Sequence, residues 1–141
     1  MKWVVLLLAC CGAACGELPC AGRSHSLKQT APLIRDIVLS DVQLFDPERV
    51  NIDVRFLDAD ADLAGGTGIF YIRGTLRAYA ATLADSFADS LVTPKATSGV
   101  LKFSLPFQRD TGTVKHVGLD VQFSDGNGAR SNCYEVDLYF P

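Results

Sequence analysis

At 141 residues, with 48% hydrophobic and 21% charged side chains, the chain has the composition of one folded domain and is too apolar and too weakly charged for a disordered one. The formal net charge is −3, and lysines and arginines are scattered singly from Arg23 to Arg130. That is not the clustered positive charge needed to hold a phosphate backbone or an anionic membrane surface, so no nucleic acid is expected as a partner.

The chain opens with Lys2, an unbroken apolar run from Trp3 to Ala9, and then small residues and cysteines up to Glu17. A positive residue before a short apolar run is the pattern of an export signal, and the run is well short of the about 20 apolar residues that a membrane span requires. Leu7, Leu8, Ala9 and Cys10 resemble the bacterial lipobox, in which an aliphatic residue and two small or apolar residues precede a cysteine. The resemblance implies a signal segment over 1–9, lipidation of Cys10 as the new N-terminus, and attachment to a membrane through that lipid. An ordinary secretory cut near Ala14 is the alternative. Residues 10–31 are rich in Gly, Ala, Ser and Cys without helical or strand periodicity, and read as a flexible tether.

Cysteines stand at 10, 11, 15, 20 and 133. Their spacing lacks the paired Cys-x-x-Cys or Cys/His pattern of a zinc site, and His25 and His116 are isolated. With Cys10 lipidated, four thiols remain in an oxidising compartment. Cys133 is expected to point outward, and its expected disulfide partner is Cys20, the tether cysteine nearest the domain; pairing of Cys11, Cys15 and Cys20 among themselves is the other possibility.

From Pro32 onward short runs of β-branched and aromatic residues alternate with turn signals, predicting one all-β, antiparallel sandwich domain of about seven strands over 32–141. Ile34–Leu39 and Val42–Phe45 give one or two opening strands, ended by Asp46-Pro47. Val50, Ile52, Val54 and Phe56 alternate with Asn51, Asp53 and Arg55, as in a strand with one wet face. Asp58–Gly68 reads as a loop. Ile69–Arg73 starts a strand that is expected to continue past Gly74 to about Ala80, and Tyr79, Leu83, Phe87 and Leu91 recur at i+4, with a short helical turn expected within Leu83–Ala88. Leu101, Phe103, Leu105 and Phe107 alternate around Pro106, which suggests an edge or a strand end. Val117, Leu119, Val121 and Phe123, and then Tyr134, Val136, Leu138 and Phe140, form the last two strands. Asp125-Gly126-Asn127-Gly128 joins them, and a two-residue Gly-Asn turn with positive φ at Gly126 would set Leu119 opposite Tyr134 and Val117 opposite Val136.

The run Val54–Leu63, a strand leading into an acidic loop, and the run Val121–Asn132 leading into the last strand resemble the immunoglobulin-like and fibronectin-III-like domains of bacterial surface lipoproteins. That resemblance implies an architecture and a display or binding role at the cell envelope, toward a protein or glycan, and no activity. Trp3 is the only tryptophan, so the buried tryptophan of antibody domains is missing.

Three features invite a chemical reading. Asp58, Asp60 and Asp62 open like an EF-hand calcium loop, but Leu63 stands at the sixth position, which needs glycine, and Ile69 at the twelfth, which needs a bidentate glutamate; a solvated acidic loop is expected, with no metal ligand assigned. His116 would face Asp137 in the register above and could serve as a base, yet no nucleophile neighbours it, so no catalytic residue is assigned. Gly65-Gly66-Thr67-Gly68 lacks the Lys and helix of a phosphate cradle and reads as a turn. The expectation is a non-enzymatic envelope lipoprotein without cofactor, or else a secreted adhesive or calcium-dependent binding module.

Overall fold

The computed structural model describes residues 29–43, 48–73, 77–106 and 116–139. The expected signal segment, Cys10, Cys11, Cys15 and Cys20 lie outside these, as do Phe45, Asp46-Pro47, Phe107 and Phe140. Among the described residues seven strands form two antiparallel sheets, the all-β sandwich that the alternation predicts. The strands are β1 (Leu33–Gln43), β2 (Arg49–Leu57), β3 (Thr67–Arg73), β4 (Arg77–Thr82), β5 (Ser98–Pro106), β6 (His116–Ser124) and β7 (Tyr134–Tyr139). One sheet has the order β1-β2-β5 and the other β4-β3-β6-β7. The chain crosses between sheets after β2 through a 3-10 turn at Leu63–Gly65, and after β4 through α1 (Leu83–Asp89).

The alternating residues line the space between the sheets, because side chains of a strand point to opposite faces with period two. Val50, Ile52, Val54 and Phe56 of β2 are buried, as are Leu101, Phe103 and Leu105 of β5 and Val117, Leu119, Val121 and Phe123 of β6. Phe103 reaches across the layers to Phe70 at 4.6 Å and Phe123 at 5.9 Å between ring centres, interlocking the sheets. Helix α1 carries Leu83 and Phe87 at i, i+4, so both face inward, and Phe87 packs on Phe56 at 5.3 Å. The helical period ends there: Tyr79 is buried from β4, whereas Leu91, with φ 57°, is exposed.

Of the one or two opening strands expected, one forms, interrupted by register shifts between Ile34 and Asp36 and between Leu39 and Asp41. Another local expectation is corrected. The run through Gly74 is two strands rather than one, since β4 returns antiparallel to β3 and extends to Thr82. Pro106 ends β5, which is an edge strand as its proline suggests.

The β6–β7 register differs by two residues from the one expected: Leu119 faces Val136 and Val117 faces Leu138. Both displacements have a local cause. The loop has three residues, because Asp125 N–H donates to Ala129 O, and the left-handed residue is Gly128 (φ 83°) at its end rather than Gly126. That is the form in which an ordinary turn is followed by a glycine bulge. A second residue is absorbed at Asn132-Cys133. Ser131 N–H still donates to Phe123 O at 2.8 Å, but the next register pair is Val121 with Tyr134. The two insertions together restore the parity, so Tyr134, Val136 and Leu138 keep the inner face while Glu135 and Asp137 stay exposed.

Candidate functional site

The expected base and its carboxylate are not brought together. His116 pairs with Tyr139, their rings 5.5 Å apart, and Asp137 faces Gly118. Asp137 accepts instead from Arg73 of β3, whose Nη2 lies 3.1 Å from its Oδ1 and also donates to Val136 O at 3.0 Å. Arg73 Nε lies 3.1 Å from Asp120 Oδ1, an ion pair without hydrogen-bond alignment. The outer face of β6 is therefore covered at Gly118, Asp120 and Gln122, although His116 at its start is exposed. Gly118 lies under the Arg73 guanidinium, which a Cβ at that position would approach to 2.8 Å. Asp120 is buried beside that guanidinium, and Gln122 is buried while its Nε2 donates to Ser131 O. Burial holds the Asp120 carboxyl above the usual carboxylate range; Arg73 opposes the shift, and Glu135 and Asp137 add to it.

The acidic loop after β2 is not the solvated loop expected. Asp58 is only 1% exposed, Asp62 is half-buried and Asp60 is exposed. One oxygen from each of the three carboxylates lies within 4.8 Å of the others. The chain reaches this arrangement through local bonds: Leu63 N–H donates to Asp58 Oδ2 at 2.8 Å, Ala61 N–H to Asp58 O at 3.3 Å, and Gly65 N–H to Asp62 O at 3.2 Å. Ala61 adopts the left-handed conformation (φ 57°), sparsely populated by residues other than glycine, asparagine and aspartate, between Asp60 and Asp62.

The β6–β7 hairpin closes over the loop. Gly126 N–H donates to Asp62 O at 3.1 Å, and the Asn127 side-chain amide donates to Asp62 Oδ2. Asp125, 4% exposed, anchors the hairpin by accepting on Oδ1 from Asn127 N–H at 2.9 Å and Ala129 N–H at 2.7 Å. Gly66 makes the close approach possible. A Cβ there would run into the Ser124 carbonyl and come within 2.8 Å of the Asp125 Cα. Gly65 and Gly66 lie in the turn expected of the glycine-rich run, whereas Thr67 and Gly68 already belong to β3, so the loop after β2 ends before the expected Gly68.

The carboxylates share one pattern. Asp58, Asp62 and Asp125 each use one oxygen for a donor of the two connections, and each leaves the other, Oδ1, Oδ1 and Oδ2 respectively, buried without a partner. Burial, reinforced by the neighbouring Asp60 and Asp62 and partly offset by the Leu63 N–H, pushes the Asp58 carboxyl up to about 6. Asp62 is raised by burial and next by the charge of Asp125. The charged forms of Asp58 and Asp62 thus carry a desolvation cost that the loop donors do not cancel.

A third joint ties the N-terminal strand to this end. Asn132 Oδ1 accepts from Ile34 N–H at 2.7 Å while its Nδ2 donates to Ile34 O at 3.0 Å, so a side-chain amide takes the place of a strand neighbour's backbone. Tyr134 Oη donates to Asp36 Oδ1 at 3.3 Å beside it. Ser131 Oγ accepts from Phe123 N–H and donates to Asn132 O. Nothing in the local sequence marks Arg73, Ser131 or Asn132 for these roles, since their partners lie on other strands. Cys133 is half-buried just before β7, and the expected pairing with Cys20 rests on a residue outside those described. The chain matches no protein-family profile and no curated protein sequence.

Proposed function

We propose that this chain is a non-enzymatic cell-envelope lipoprotein, which holds a β-sandwich at the membrane surface through lipid on Cys10 to bind or display a protein or glycan partner. The observation that carries this reading is the run Leu7-Leu8-Ala9-Cys10 directly after an apolar segment, followed by a tether and then a sandwich beginning at Leu33. The site geometry supports the non-enzymatic part: His116 packs against Tyr139, and its expected carboxylate is engaged by Arg73.

The register gives the tethered domain an orientation. Leu33 pairs with Leu57, directly before the acidic loop, so the tether joins the sandwich at the end that carries this loop and the β6–β7 hairpin. The Cys20–Cys133 disulfide belongs to the same reading and would hold the tether against that end. Radiolabelled palmitate tests the anchor: label is expected on the full-length protein and not on Cys10→Ala. An unlabelled wild-type chain that has lost its first 14 residues points instead to a secreted module without lipid. Non-reducing peptide mapping checks the disulfide, which recovery of Cys133 as an alkylated free thiol would rule out.

A further inference from the structure

We infer that Asp58, Asp60 and Asp62 bind one calcium ion, with Asp125 supplying a further negative charge from the β6–β7 hairpin, so that the ion staples the two connections together. This does not depend on the lipid anchor. Three carboxylate oxygens lie within 4.8 Å of one another, a spread that one ion with oxygen bonds of about 2.3–2.6 Å can bridge, since two of its ligands stand at most about 5 Å apart. The donors are all oxygen, and several are anionic, which selects a hard cation over zinc or copper. Magnesium has shorter bonds, retains several waters and usually takes one or two carboxylates, so a cluster of three suits it less well than calcium.

Proximity of acids alone would carry little, because exposed acidic groups repel and remain hydrated. Here the second observation is independent of the loop. Asp125 arrives from a connection more than 60 residues away in sequence, is 4% exposed, keeps Oδ2 buried without a partner, and is the leading charge acting on Asp62. Within the cluster itself, Asp58 Oδ1 is buried and unpartnered in a residue 1% exposed. Buried polar atoms in folded proteins are almost always satisfied, so the buried, unpartnered oxygens of Asp58 and Asp62, two members of the cluster, call for a ligand that accepts lone pairs. A cation meets this demand at every such oxygen at once. The loop donors meanwhile hold the opposite oxygens, as the outer groups around a metal usually do.

The EF-hand comparison fails only because that motif draws all its ligands from one twelve-residue loop. In this fold the glycine turn and distal glutamate are unnecessary, since the hairpin approaches from the neighbouring strand and Gly66 lets it seat. The test uses the full-length chain, stripped of metal with a chelator. Titration with calcium chloride, followed by calorimetry and by melting temperature, is expected to show one saturable site and a rise in melting temperature, because a ligand of the native state alone stabilises it. Magnesium should bind more weakly. Asp60→Asn changes an exposed residue and preserves the fold; it should weaken calcium binding by about tenfold or more through loss of one anionic ligand. Asp125→Asn retains an oxygen for the Asn127 and Ala129 N–H groups and should also weaken binding. No heat and no melting shift up to about 10 mM calcium, well above the range of weak extracellular sites, overturns the inference, as does wild-type affinity in either variant.

Discussion

Two clusters of buried acid among the described residues handle the same physical problem in opposite ways. On the outer face of β3, β6 and β7, Asp120 is desolvated but lies beside the Arg73 guanidinium, which also reaches Asp137. At the loop end, Asp58, Asp62 and Asp125 are held by backbone and amide donors on one oxygen apiece, with the other left over. The first cluster has its opposite charge within the protein, although Asp120 Oδ1 keeps no hydrogen-bond partner, and acts as a clamp between strands. The second is complete only with a positive ligand, which separates a structural ion pair from a binding site even though both raise carboxyl pKa values.

The sharpest way to break the contrast is at the seam of the loop end. Gly66→Ala forces a Cβ into the backbone of Ser124 and Asp125, neither of which can move without opening the hairpin. A loss of about 3 kcal/mol is expected in urea unfolding, at the upper end for overpacking. A loss below about 0.5 kcal/mol would show that the two connections are not rigidly seated. Asn132→Ala removes both hydrogen bonds to Ile34 and should cost about 1–2 kcal/mol, with faster amide exchange at the start of β1 as the accompanying sign.

At the other cluster, Arg73→Met leaves Asp120 without its cation. The arginine is partly solvent-exposed, so the expected loss is about 1–2 kcal/mol rather than the larger cost of a fully buried pair. Adding Asp120→Asn to Arg73→Met should recover part of it, and strict additivity of the two changes would show that the pair is uncoupled. A smaller effect is the pH dependence. Asp120 titrates above its ordinary 3.8 in the folded state, so the native protein binds the proton more tightly than the unfolded chain. Its contribution is present in full below 3.8 and is lost as pH rises through the folded value. Wild-type stability should therefore fall relative to Asp120→Asn as pH increases from about 3.8, and the reverse slope would mean that Arg73 outweighs burial. The smallest change is expected at exposed His116, where replacement by Ala should alter stability by less than about 0.5 kcal/mol.

The strands and their inward residues were legible because strand periodicity is written locally: Val50 to Phe56 and Val117 to Phe123 show it within single runs, and the structure buries those residues. Leu83 and Phe87 likewise announced their helix. The register of the last hairpin was not legible, because Gly126-Asn127 suits a two-residue turn as well as the three-residue loop that forms. What selects the longer loop is the set of bonds from Asp125 Oδ1 to Asn127 and Ala129, together with the contact of Gly126 with Asp62.

The amino-acid pattern by itself determined a single apolar core, its division into strands, and which side chains enter it, since alternation and turn residues act between neighbours in the chain. Only the tertiary structure decided the environment of each charge. Asp58, Asp60 and Asp62 look like any acidic loop until strand pairing brings Asp125 and Asn127 over them, and Asp120 looks solvent-facing until β3 lays Arg73 across it. Burial and the raised carboxyl groups that follow from it depend on residues far apart in sequence, such as Asp62 with Asn127 and Ile34 with Asn132. A local reading can locate an acid, but its desolvation is set by what packs against it.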